Sequence, residues 1–312
     1  MSTKYLDPKN DLAFKKIFGQ EKHKSIPISF LNAVFNLTGE DEIIDLDFLE
    51  GTQLPEIQAR KESIVDVLVR DRKGIKYVIE MQVSKVLGFE KRAQFYAAKT
   101  YCSHFNIGGD YVDLKKVIFL AITSYIAFPD KEDYKSDHVI LDRKTYENDL
   151  KDFSFTFVEL PKFEKKSNEL KTLEDKWYYF LKHAEESNTI KAALSKSAEI
   201  RAAYGVLERI HWSERELREY DAIAMAAADA RGALMAAKLD GEKIGEERGL
   251  VKGEEIGLVK GEEIGLVKGE EIGQKKERVE LAIKLLSKGF PDDEVAQLTE
   301  LTLEEVQSLK KR

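Results

Sequence analysis

Residues 64–83 read IVDVLVRDRKGIKYVIEMQV, two apolar runs separated by a polar turn. The runs are apolar almost throughout, as strands covered on both faces are. Yet Asp66 interrupts the first run, and Glu80 and Gln82 interrupt the second. A carboxylate withdrawn from water costs several kcal/mol unless it is paired or bound to a metal. Three polar groups in two buried strands therefore need a common explanation.

The turn supplies it. Arg72-Lys73-Gly74, flanked by Asp71 and Ile75, matches a three-residue hairpin loop with glycine in the left-handed position. That loop pairs residues whose numbers sum to 146, so Asp66 faces Glu80. Directly opposed residues share a face at about 5 Å, and Gln82, two along, shares it too. A two-residue loop would split the carboxylates across the sheet. Two carboxylates that close repel unless a cation or a shared proton lies between them. Oxygen ligands of this kind suit Mg²⁺ or Mn²⁺. A buried ion pair with Lys61 or Arg92 is the plainer alternative, and spacing does not decide between them.

Working outward, residues 10–18 carry a ragged helical stripe behind Pro8 and Asn10, a helix start. A second helix is predicted over 27–37, ended near Thr38-Gly39, and an edge strand over 43–48, where apolar and acidic residues alternate. After the hairpin, a helix is predicted over 90–106, ended by Gly108-Gly109. Strands follow at 117–126, 138–141 and 153–160, the last closed by Pro161. This order is that of an α/β domain over residues 1–165. Beyond it no strand pattern appears. Trp177 to Leu181 suggest one helix packed on the domain, and 192–207 and 214–239 read as further helices, a helical extension over 166–240.

Residues 249–272 are three perfect copies of GLVKGEEI, with degenerate copies on either side. Glycine every fourth residue costs a helix about 0.8–1 kcal/mol at each position. The apolar positions Ile256, Val259, Ile264 and Val267 average four residues apart, which fits neither a coiled coil nor a straight helical face. A spacer over 241–276, marginally helical or flexible, is the plain reading; a self-association helix is the sharper one. The tail, 277–312, is predicted as three short helices: an amphipathic one closed by Gly289, one opened by Pro291, and one opened by the capping box Thr302-Leu303-Glu304-Glu305. The last helix carries its cations, Lys310, Lys311 and Arg312, only at its end, so helix packing outweighs DNA reading, although the helix-turn-helix arrangement stays open.

The chain as a whole bounds the setting. It has 312 residues, 43% apolar and 34% charged, with a net charge of −7. That balance argues against coating DNA by bulk electrostatics, but leaves room for a local basic patch with a metal. The polar start, MSTKYLDPKND, is unlike a signal peptide. The longest apolar stretch, 117–128, is too short to span a bilayer. A lone Cys102 forms no internal disulfide, so a reducing cytoplasm is the expected home.

The arrangement Asp66 … Glu80-Met81-Gln82 resembles the PD-(D/E)XK nuclease core, in which a hairpin presents Asp and then (D/E)-x-K. More closely, the chain resembles the Rpn recombination-promoting nucleases, also called PD-(D/E)XK family transposases. The matching blocks are DPKNDLAFKKIFG (7–19), VDVLVRDRKGIKYVIEMQ (65–82), KRAQFYAAKTY (91–101) and VELPKF (158–163). The resemblance implies a restriction-endonuclease-like core, a mixed β-sheet flanked by helices, followed by an all-helical C-terminal region. It implies Mg²⁺-dependent hydrolysis of DNA phosphodiesters in recombination or mobile-element biology, with Mn²⁺ as a substitute. Asp66, Glu80 and the Met81 carbonyl would hold the metal. Gln82 stands where the PD-(D/E)XK pattern has lysine, a substitution that the resemblance implies is normal for the Rpn branch; an amide is neither a cation nor a base, and Lys85 lies poorly placed to replace the lysine. Arg92, Tyr96 and Lys99 would meet the phosphate backbone, with Arg92 paired to a carboxylate and Tyr96 in the core as the alternative. Asp11 is either a further carboxylate near the metal or a helix-N-terminal acid favoured by the dipole. Cutting both strands would take two sites, hence a homodimer. The rival is a DNA- or protein-binding module that keeps the fold, cleaves weakly or not at all, and acts through its helical tail.

Overall fold

The computed structural model describes residues 3–49, 52–53, 63–103, 110–186 and 188–310. Two compact units emerge, Met1–Gly232 and Ala233–Arg312.

The first unit opens with α1 (Asp11–Phe18), whose first turn is closed by Asn10: the side chain accepts from the Leu12 amide at 3.1 Å. α2 (Ser25–Phe35) ends on Asn36, which takes a left-handed conformation at φ 50°. The helix thus begins and ends two residues ahead of the predicted span, because a short polar side chain tolerates that conformation. β1 (Leu46–Phe48) follows, then the two-residue strands β2 (Thr52–Gln53) and β3 (Ser63–Ile64), which pair with each other. The hairpin is β4 (Val67–Asp71) and β5 (Lys76–Gln82). After it come α3 (Phe89–Cys102), β6 (Val117–Thr123), β7 (Lys135–Val139) and β8 (Phe153–Glu159). Residues 104–109, on which the predicted end of α3 falls, lie outside the described residues.

The main sheet has six strands in the order β1-β4-β5-β6-β8-β7. β5, β6 and β8 run parallel, and the other pairings are antiparallel. β6 is buried at every position, as a central parallel strand covered on both faces must be. β1 is an edge strand, and its exposed Asp47 pairs with Arg70 at 2.8 Å, a charged rim that discourages further strand addition.

Helices from both halves of the unit cover one face. Trp177 on α4 (Leu173–His183) is fully buried, with the rings of Phe18, Phe30 and Phe180 within 6.0 Å. Each such ring contributes about 1.5–3 kcal/mol by its burial. The predicted helix over 192–207 is two, α5 (Ala192–Ser195) and α6 (Ala198–Leu207), because Ser197 is extended between them and begins a new helix. Serine side chains compete for backbone hydrogen bonds and favour such breaks. α3 covers the opposite face through Phe89, Ala93 and Ala97, against Val78, Phe119, Ala121 and Phe157.

α7 (Glu214–Ser287) runs unbroken through the glycine repeats. The second unit closes with α8 (Asp292–Thr299) and α9 (Leu303–Leu309), whose capping box forms as predicted. Ala282, Val295, Leu301 and Val306 make its small core. Lys275–Glu305 at 2.7 Å and Arg278–Glu300 at 2.6 Å fix the turns. Lys310 pairs with Asp292, while Lys311 and Arg312 lie outside the described residues.

A Cβ at Gly257, Gly261 or Gly265 would meet no other group within 4 Å. Replacing all three by alanine is expected to stabilise that part of α7 by about 0.8–1 kcal/mol per site. Hydrogen exchange over 249–272 should slow accordingly; unchanged or faster exchange would mean that the glycines serve a close contact.

Candidate active site

The hairpin takes the register that its turn dictates. Val67 faces Ile79 and Arg70 faces Lys76, sums of 146. Gly74 has φ 84°, the left-handed conformation that any side chain strains to adopt. The Asp71 carboxylate accepts from the Ile75 amide at 2.9 Å and from the Tyr77 hydroxyl at 3.2 Å, fixing the loop from inside.

Asp66 sits one residue before β4, outside the strand proper. There the backbone ladder is replaced by two bonds through side chains. The Met81 amide donates to Asp66 Oδ2 at 2.8 Å, and the Asp66 amide donates to Glu80 Oε2 at 3.3 Å. The two side chains are only 14% and 7% exposed. Burial, and then the Glu80 charge, push the Asp66 carboxyl up to about 8. Burial also raises Glu80, although the Asp66 amide and Arg92 oppose it.

Two cations flank the pair. Lys15 Nζ stands 2.8 Å from Asp11 Oδ1 and 3.7 Å from Asp66 Oδ1. Burial alone would pull Lys15 down, but Asp11, Asp66 and Glu80 together hold it above its ordinary value, as an ammonium. Arg92 stands 3.6 Å from Glu80 Oε1 and donates to Gln82 Oε1. Gln82 Nε2 donates in turn to the Ser84 carbonyl at 3.3 Å, so both ends of the amide are engaged. Arg92 also lies over the rings of Phe89 at 5.0 Å and Tyr96 at 5.9 Å. Its Nε is buried without a hydrogen-bond partner among the described residues, as is the Tyr125 hydroxyl. Burial, and then the Glu90 charge, push Tyr125 up to about 12, which keeps it a donor.

Asp66, Glu80, Gln82, Arg92 and Tyr96 thus come together, and Asp11 joins them through Lys15. Lys99 is half-buried one turn beyond Tyr96 on α3, and Lys85 is exposed. Lys61 lies outside the described residues. Lys15 and Tyr125 carry no mark in the hairpin motif. Lys15 is visible only as the residue one helical turn from Asp11.

The donor set suits a hard cation. Asp66 and Glu80 offer carboxylate oxygens whose mutual repulsion a divalent ion relieves, and Mg²⁺ usually binds through one or two carboxylates while keeping several waters. Among the described residues no group of three or more His, Cys, Asp and Glu is arranged to hold a metal. Asp11, committed to Lys15, is the nearest third carboxylate.

A hairpin that presents paired carboxylates at the ends of interior strands of a mixed, helix-flanked sheet is the PD-(D/E)XK nuclease fold. The sequence profile of the PD-(D/E)XK nuclease family transposases matches residues 8–237, well over half of the 312 residues, and the chain belongs to that family. No curated protein sequence and no solved structure matches it. Among the described residues no helix is long and apolar enough to cross a membrane.

The raised Asp66 carboxyl makes stability depend on pH. The folded chain holds that proton more tightly than the unfolded chain, whose carboxyl titrates near 3.8. The resulting stability is present at low pH and is lost as pH rises from about 4 towards 8. In EDTA, the melting temperature of the wild type should therefore fall between pH 5 and pH 9 more steeply than that of Asp66→Asn. Parallel pH profiles of the two proteins would show that the carboxyl is not held up.

Proposed function

We propose that this chain is a DNA endonuclease dependent on Mg²⁺ or Mn²⁺, hydrolysing phosphodiester bonds in recombination or on mobile DNA. The observation that carries the reading is the buried Asp66–Glu80 pair, held across the hairpin by crossed hydrogen bonds and flanked by Lys15 and Arg92. Asp66, Glu80 and the Met81 carbonyl would hold the cation. Bound there, the ion would polarise the phosphate and lower the pKa of an attacking water.

The chain's own groups do the rest. Arg92, steered by Gln82, presents a planar donor set towards a phosphate oxygen. Lys15 offers a second positive charge from the other side, so the charge that lysine gives from the strand in related sites comes here from two helices. Tyr125 stays protonated and donates. Gln82 acts as a positioning residue for Arg92. Tyr96 and Lys99 extend the face of α3 along which a DNA backbone would run. Cutting both strands takes two such sites, and a homodimer would supply them.

A second reading has one observation on its side. Gln82 replaces the usual lysine and is engaged at both ends, which suits a module that binds DNA or protein without cutting.

Supercoiled-plasmid nicking separates the two. The wild type should nick with Mg²⁺ or Mn²⁺ and not with EDTA, and both Asp66→Asn and Glu80→Gln should lose the activity. Lys15→Gln should retain the fold and lose about 10²–10³-fold in rate, the usual cost of one preorganised charge or donor. Mg²⁺ should also raise the melting temperature of the wild type near pH 9 and leave that of Asp66→Asn unmoved. A wild type that neither nicks nor is stabilised by either metal would favour the binding module.

A further inference from the structure

The face of the sheet that bears the carboxylates also bears a cavity. In-register pairing sets Glu80 beside Ala121, and Ala121 beside Phe157, in one row across β5, β6 and β8. Phe157 is therefore two strand spacings from Glu80, about 9.6 Å, comparable with the reach of one nucleotide from its phosphate to the far edge of its base. Phe157 lines a cavity of 260 Å³. Phe128 stands edge-on to it at 5.0 Å and 84°, and His138 at 5.4 Å and 78°. Glu90 and Gln94, one turn apart on α3, add the polar part of the lining, and Val139, Ile140 and Phe155 complete it.

The cavity and the carboxylate site share their supports. α3 gives Arg92 to one and Glu90 and Gln94 to the other. The segment after β6 begins at the site, where the Ser124 amide donates to the Gln82 carbonyl at 2.9 Å, and it reaches the cavity at Phe128. There the Ala127 and Phe128 amides both donate to buried Glu159, at 2.6 and 3.0 Å. Lys162 pairs with the same carboxylate at 2.8 Å. The aromatic wall is thus pinned from behind.

The lining selects its occupant. Four aromatic rings, Phe128, His138, Phe155 and Phe157, favour a flat group, since stacking is what they add beyond apolar burial. The Glu90 carboxylate repels a phosphate and accepts from N–H donors. The volume lies just below the roughly 300–1,000 Å³ of pockets for drug-sized ligands, as suits a single heterocycle. We propose that this cavity receives one nucleobase of the substrate strand, swung out of the stack, with its N–H edge turned to Glu90. The inference rests on the reading of the hairpin as a DNA-cutting site, and it deepens that reading: the preferred substrate carries an unpaired or easily unpaired base beside the scissile phosphate. Guanine, with two adjacent N–H donors on one edge, is the base held best.

The test is an abasic scan. Binding of the full-length chain to short single-stranded oligonucleotides is read by fluorescence anisotropy in EDTA, each oligonucleotide lacking one base in turn. Removing the base at one position should weaken binding about 5- to 100-fold, the range of one base–aromatic stack. That loss should vanish in Phe128→Ala and return in Phe128→Trp. Glu90→Gln, an exposed change that spares the core, should remove the preference for guanine over thymine at that position. A flat scan in the wild type, no binding of any oligonucleotide, or a scan unaltered by Phe128→Ala would each overturn the proposal. Plasmid nicking judges the nuclease reading separately. Nicking with a flat scan leaves the nuclease and removes the cavity's role; a position-specific scan without nicking does the reverse.

Discussion

The crossed hydrogen bonds between Asp66 and the Glu80-Met81 segment are the constraint on which the rest of the site depends. At the open end of the hairpin the regular ladder would pair backbone with backbone. Instead the Met81 amide is spent on the Asp66 carboxylate and the Asp66 amide on Glu80. The Met81 amide belongs to β5, so Asp66 is held by a group that cannot move without disturbing the sheet. The arrangement exists in one register only. A slip of one residue would send every side chain of one strand to the opposite face, replacing Asp66 by Val65 or Val67 opposite Glu80. Gly74 at φ 84°, with Asp71 gripping the loop from within, prevents that slip. A turn six residues along the chain from each carboxylate, Asp66 to Arg72 and Gly74 to Glu80, thus decides the chemistry at the hairpin's mouth.

That explains why the hairpin was legible in the sequence and other parts were not. Turn type depends on a few adjacent residues, and register follows from turn type by arithmetic, so Asp66 opposite Glu80 could be read from RDRKGI alone. The apolar run of β6 and the capping box of α9 are equally local. Lys15 is different. Its contact with Asp66 joins residues 51 apart and arises from how α1 docks beside the hairpin, which no local pattern encodes. Tyr125 becomes a buried donor only because the segment after β6 folds back beside α3. The break between α5 and α6 turns on the backbone of Ser197, a residue that tolerates either course.

The long helix is a different case. Nine glycines spaced by four, Gly241 to Gly273, argue locally for a marginally helical or flexible spacer, and α7 passes through them without a break. The residues between include Leu, Lys and Glu, which are good helix formers, and helix propagation adds one hydrogen bond for each residue fixed. Leu250, Val251, Leu258 and Val259 remain exposed along it, so the segment owes its form to its own backbone and not to a buried face.

The replacement of lysine by Gln82 changes the electrostatics of the site more than its shape. A lysine on β5 would place one mobile ammonium beside the carboxylates, able to lose its proton and, as the neutral amine, to accept one. Here the cations are Arg92, a guanidinium with five donors and no acceptor, and Lys15, which the carboxylates hold as an ammonium. Neither is free to serve as a general base near neutral pH. In the proposed reaction the proton of the attacking water would then have to pass to bulk water or to a phosphate oxygen, with the protein contributing fixed charge and position. This division of labour accounts for the amide: a neutral Gln82 holds Arg92 by its oxygen without adding a third like charge to the two carboxylates, which an acid at that position would, and without competing for them, which a lysine would.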